Sequence, residues 1–513
     1  MNTSIQKVDD LRSSLSGSDT PLLRPFSLWG LGLGVAATAA SGEPLIGLVI
    51  VTLFLCAGLL WFRTGVPIFA FCILYQTIFV ITGYFYWTLF GSYPGMRYIG
   101  NLELATFYSM LGFLAVSLGI WSVVHGYVQE ANEGDDEYDV MRLFWVVLAL
   151  FSFNWLIEIS GAGLRLVAFN VAQILHHTLM VRYMFLYLLF LTVIRRREHI
   201  GLGLIAFGYV LLPELISSMT KFKELFFLLV IVLLSQWRPG SRSQVIKKKN
   251  RWILTIVISL SIFLLLVGVI WSGAMKHSWR TALTSGAVSG TPIQKIGAYG
   301  EHAVKSIEDL EISRGVTELA SRLSSGLAYF SHVLRVVPDY VDHEGGVLTR
   351  NAIEHILTPR FLFPEKANLG GDSWLVRKYA RLNVSGDESG TSVGMGYMAE
   401  FYVDFGFPGM LVPLVLYGVI LGLMYRALYK LSPSTSLFSA LVSGLFLLHF
   451  LSYEGNFTKL FGGVVQNFSI LSFLLLLFGQ KVHIFLLGTR KSRNRSPETG
   501  RSSSNAWPKS SAY

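Results

Sequence analysis

Arginine dominates the polar part of this chain. Arg280, Arg314, Arg322, Arg335, Arg350, Arg360, Arg377 and Arg381 all fall in the one long polar run of an otherwise apolar sequence. A guanidinium stays charged at every relevant pH, and its planar fork donates two parallel hydrogen bonds, so the type suits phosphate. Two carboxylates, Glu400 and Asp404, follow where the chain turns apolar again. The run from Gly273 to Ala399 holds 13 Lys/Arg and 13 Asp/Glu, with five of the 11 histidines. Such a balance also describes a solvated loop. Within it, however, Leu319, Leu323, Leu327, Phe330 and Leu334 recur at helical spacing over 318–337, which predicts a partly folded, partly helical subdomain.

Other signals are weaker. The five histidines of the run and His176–His177 show no ligand spacing, so no metal site and no cofactor is expected. Gly390, Ser392 and Gly394 match G-x-S-x-G, but that motif needs a strand before it and a helix after it, and no strand is foreseen. His449 lies in an apolar run and reads as a hydrogen-bonded core histidine. Cys56 and Cys72 also lie in apolar runs and read as small core residues.

These groups sit in a membrane protein. The chain is 52% hydrophobic and 14% charged, with a mean hydropathy of +0.52, against roughly 25% charge in soluble domains. Apolar runs fall at 26–41, 44–62, 66–90, 103–127, 142–160, 178–194, 200–217, 223–237, 252–272, 400–427, 436–453 and 468–487. The expectation is an all-α polytopic membrane protein with about 12 transmembrane helices and one large, partly helical periplasmic loop. Its parts are a cytoplasmic tail at 1–25, nine spans over 26–272, the loop at 273–399, three spans over 400–487 and a basic tail at 488–513.

Cationic clusters set the orientation. Arg195–Arg197 follow the sixth run; Arg238, Arg242, Lys247–Lys249 and Arg251 follow the eighth; Arg426 and Lys430 follow the tenth; Arg490, Lys491, Arg493 and Arg495 follow the twelfth. All lie on one side, expected to be the cytoplasm, with both termini. The net charge of +10 then reflects the positive-inside rule and not nucleic acid. In this topology Glu158, Arg165, Arg182, Glu214, Lys221, Lys223, Glu400, Asp404 and Glu454 gather at the outer ends of the spans. A charge in a span is a functional hypothesis by default. Each alone is equally a snorkelling or structurally paired group; together they suggest a polar cavity.

An ordered series of patches resembles the bacterial O-antigen and exopolysaccharide repeat-unit polymerases (Wzy-type). It comprises Arg322, Pro338, Gly345–Gly346, the stretch TPRFLFPEK at 358–366 and GYMAEFYVDFGFPG at 396–409. In that family a PR-x-x-x-P-x-K stretch precedes a G-E-x-Y-x-x-F-G-x-x-G approach to a late span. Here Ala399 replaces the glycine, Asp404 a frequent asparagine, and Ala367 a common proline.

The resemblance implies a glycosyltransferase of the bacterial inner membrane. Such an enzyme moves a growing glycan from undecaprenyl pyrophosphate onto the incoming lipid-linked repeat unit, at the periplasmic face. It implies Arg322 and Arg360, then Arg165 and Arg314, for pyrophosphate; Glu400 as base, with Asp404 the alternative; and Tyr402 against a sugar. Glu400, Arg322 and Arg360 are thus the expected catalytic residues. Implied partners are undecaprenyl-pyrophosphate-linked oligosaccharides, membrane lipids, a chain-length regulator and a repeat-unit flippase. The alternatives are an O-antigen ligase and, in another class, a lipid-linked oligosaccharide transporter.

Overall fold

The computed structural model describes residues 23–488, apart from 62–65, 91–99, 126–137, 160–174, 176–177, 217–221, 238–243, 359–362, 364–370, 387–391 and some positions between 276 and 310. Among the described residues all regular structure is helical. Six helices are long and apolar enough to cross a membrane: α3 (Ile68–Phe90), α4 (Leu102–Val124), α5 (Val140–Ile159), α9 (Gln244–Ile270), α15 (Leu411–Leu431) and α17 (Phe457–Leu487). Shorter apolar helices are α1 (Leu23–Ser41), α2 (Pro44–Leu60), α7 (Ile200–Ile216) and α16 (Thr435–His449). Between them lie α6 (Val181–Arg196) and α8 (Phe222–Ser235). The polar run forms α10 (Pro292–Glu308), α11 (Ile312–Val336), α12 (Val347–Leu357), α13 (Asp372–Tyr379) and α14 (Tyr397–Phe405).

The apolar helices pack where small residues let backbones meet. A Cβ on Gly418 would come within 2.2 Å of the Val116 carbonyl, and one on Gly119 within 2.2 Å of the Val415 carbonyl. The α4–α15 crossing therefore rests on a glycine pair, the small-residue contact that serves helices in lipid. Polar glue adds to it. Buried Gln76 of α3 donates to the Phe450 carbonyl at 2.7 Å and accepts from the Tyr397 hydroxyl at 2.8 Å. Tyr453 and Ser109 share a hydrogen bond of 2.8 Å between their hydroxyls. Cys56 and Cys72 are 1% and 0% exposed with free thiols. His449 is hydrogen-bonded to Asn467 of α17.

The helix expected at 318–337 runs from Ile312 to Val336, and it does not stand away from the bundle. Leu319 lies 3.5 Å from where a Cβ on Gly268 of α9 would stand, Gly326 sits against Tyr453, and the Ser331 carbonyl abuts Gly100. Leu327 and Phe330 are wholly buried. The longest helix of the polar run is thus laid along the apolar helices.

Two boundaries differ from the sequence expectation. The run 400–427 is two helices, α14 and α15, separated by a turn at 406–410. Gly406 has φ +63°, and proline follows at 408. Helical backbone ends there although hydrophobicity continues. The run 252–272 begins at Gln244, so Lys247–Lys249 and Arg251 occupy the first turns of α9. Its 27 residues reach about 40 Å, beyond a hydrocarbon core of about 30 Å, which leaves those basic turns room outside it.

Candidate functional site

Residues 450–456, between α16 and α17, are where the polar groups meet. On one side stands Glu400 of α14, 6% exposed. Its Oε2 accepts the Phe457 amide at 2.8 Å, at the first turn of α17. Its Oε1 is buried with no hydrogen-bond partner among the described residues. Burial, with Asp372 and Asp404 nearby, pushes this carboxyl up to about 8 against the pull of the Phe457 amide. Glu400 lies in the nine-residue helix α14, before the span-length helix α15.

Asp372, the first residue of α13, gathers the neighbouring loop. It accepts hydrogen bonds from the Asn456 side chain, from Lys459 Nζ and from Ser392 Oγ, the last at 2.6 Å. Lys459 Nζ also donates to Ser392 Oγ at 2.8 Å. Ser392 is therefore part of a clasp between the 273–399 run and α17. Residues 387–391 before it lie outside the described residues, and among the described residues there is no strand to form a nucleophile elbow.

Arg322 is exposed on α11, three residues from Ser325, which bonds Glu454 of the same loop. The charges of Arg322 and Glu454 both reach the phenols of Tyr75 and Tyr329 and the ammonium of Lys223, which opens α8 beside Glu224. Ser325 Oγ donates to the Glu454 carboxylate. Gly326 leaves room for the Glu454 side chain, 2.9 Å from where a Cβ would stand. A Cβ on Gly394 would come within 2.4 Å of the Glu454 carbonyl.

Further charges adjoin these. Glu224 and Glu214 act on Tyr183 together with Arg182. Arg182 is 4% exposed, bonds Asn154 and lies 5.3 Å and 5.1 Å from the ring centroids of Phe151 and Tyr183. Charges scattered over the sequence thus come into electrostatic reach of one another.

The other expected site residues fare differently. Asp404 is 1% exposed, and its oxygens accept from the Leu348 amide (3.0 Å), the Thr349 amide (2.7 Å) and the Thr349 hydroxyl (2.5 Å). It caps α12, as a carboxylate at a helix N-terminus should. Tyr402 is buried, and its hydroxyl donates to the Val337 carbonyl at 3.2 Å. Asp404, expected as the alternative base, and Tyr402, expected against a sugar, both fasten α14 to residues of the 273–399 run. Arg314 is exposed on α11, eight residues from Arg322, hence about 12 Å along the axis and turned aside by about 80°. Arg165 and Arg360 lie outside the described residues. Among the described residues no three His, Cys, Asp or Glu side chains gather as metal ligands.

Lys223 and Glu454 were visible in the sequence as charges at span ends, but nothing there ties them to Arg322. Asp372 and Lys459, 87 residues apart, carried no signal at all. A family model described as a domain of unknown function (DUF8712) matches residues 63–484, which include every residue of this site. No curated protein and no solved structure matches the chain.

Proposed function

This chain belongs to the DUF8712 family, and we propose that it is a polysaccharide polymerase. In this reading it joins undecaprenyl-pyrophosphate-linked oligosaccharide units at the periplasmic face of the bacterial inner membrane. Each of the twelve apolar runs crosses the bilayer, the tenth through α15 with α14 outside; both termini are cytoplasmic and residues 273–399 lie outside.

One observation carries the proposal: Arg322 and Lys223 stand with Glu454 where the outer segment meets the ends of the apolar helices. Glycosyl transfer from a lipid diphosphate needs cations for the charge developing on the leaving group and an oriented carboxylate for the acceptor hydroxyl. A lipid-borne substrate needs both at the membrane boundary. The electrostatic linking of outer-end charges supports a chemical site there over a passage through mid-membrane.

The test is polymer formation by the purified protein in liposomes given a lipid-linked repeat unit, read as a ladder on a gel. Wild type is expected to build the ladder, and Arg322→Ala to lose roughly 10²–10³ in turnover. A ladder that forms only with a different acceptor would make the protein a ligase. Movement of intact substrate without bond formation would make it a transporter.

A further inference from the structure

Two glutamates flank the same short loop in different surroundings. Glu400 is buried, which pushes its carboxyl up, and its Oε2 is committed to the Phe457 amide. Glu454 is half-buried and shares its surroundings with Arg322 and Lys223. One Glu454 oxygen is held by Ser325, and the other takes no hydrogen bond from a described residue. A base must be ionised before the reaction and adjacent to the reacting hydroxyl. The backbone that carries Glu454 is pinned throughout: Tyr453 to Ser109, Gly394 against the Glu454 carbonyl, Asn456 to Asp372 and Phe457 to Glu400.

We propose that Glu454 is the general base of the transfer and that Glu400 is a positioning residue acting through the Phe457 amide. The assignment rests on the polymerase reading. Glu454 takes the proton of the acceptor hydroxyl as that oxygen bonds to the donor's anomeric carbon. The bond from that carbon to the diphosphate oxygen breaks, and its electron pair leaves on the lipid diphosphate beside Arg322 and Lys223. Glu454 then returns the proton to water. Glu400 does not touch the substrate; it fixes the start of α17 and hence the loop bearing the base.

The two carboxylates separate cleanly by amide substitution. Glutamine keeps the carbonyl oxygen that accepts the Phe457 amide, so Glu400→Gln retains the positioning contact. At residue 454 the same change replaces the carboxylate by an amide, which is too weakly basic to take the proton. Full-length protein in liposomes is assayed for initial rate of lipid diphosphate release against donor concentration. Glu454→Gln is expected to lose about 10²–10³ in kcat with KM changed less than about threefold. Glu400→Gln is expected to stay within about threefold of wild type, and Glu400→Leu to fall well below it.

Retained binding of a lipid diphosphate to Glu454→Gln, followed by quenching of intrinsic tryptophan fluorescence, shows that the variant is folded. Wild-type rates from Glu454→Gln, or Glu400→Gln as inactive as Glu454→Gln, overturn the assignment while leaving the polymerase reading in place. No bond formation by wild type overturns both.

Discussion

Glu400 has a second measurable property besides its contact with α17. Its carboxyl ionises near 4.5 in the unfolded chain and near 8 in the fold, chiefly because it is buried. Below 4.5 both states hold the proton, and the folded state bears no penalty. Between 4.5 and 8 the unfolded chain releases it while the folded chain keeps it, so stability falls as pH rises through that window and levels off above it. The slope is about 1.4 kcal/mol per pH unit for one group. Glutamine cannot ionise, so Glu400→Gln should unfold at a higher temperature than wild type above pH 7, and the two should converge near pH 5. Tryptophan-fluorescence melts in detergent at the two pH values check this. The sequence singled out Glu400 by its type and position, but not its burial. That depends on Phe457 and Asp372, distant in the chain. Asp404 shows the same limit more sharply. As a carboxylate at a span end it looked available, whereas its oxygens cap a helix that begins 57 residues earlier.

At the scale of elements, apolar runs were the legible part because length and hydrophobicity are local properties, and a helix underlies each of them. The run at 400–427 was misjudged as one helix for a physical reason: burial demands hydrophobic residues on both sides of the turn at 406–410, so hydropathy passes through it unbroken. The glycine–proline signal of that turn was present but subordinate to the apolar pattern. How helices pair is not local. The α4–α15 crossing depends on Gly119 and Gly418 meeting at distances no Cβ allows. Gly418→Ala should separate the two helices and lower stability by about 1–3 kcal/mol, seen as an earlier melt and reduced folded yield. Because Met398 of α14 lies against Gly112 on the same α4 helix, 2.5 Å from where a Cβ would stand, the site should loosen with it. Lipid diphosphate binding should then weaken before the protein unfolds.

At the scale of the whole molecule, the proposed orientation sets Glu198 and Asp342 on opposite faces of the membrane. Both are exposed. A cysteine at residue 342 should react with a membrane-impermeant maleimide applied from the periplasmic side, and one at residue 198 only after the membrane is opened. The reverse pattern would invert the protein and place the charged cluster in the cytoplasm, away from any periplasmic substrate. Here the burial of Cys56 and Cys72 acquires a practical meaning. With its own thiols shielded at 1% and 0% exposure, the native chain is a nearly silent background for thiol labelling. Its sidedness can be mapped one introduced cysteine at a time, without first stripping sulfur from a core that packs around it.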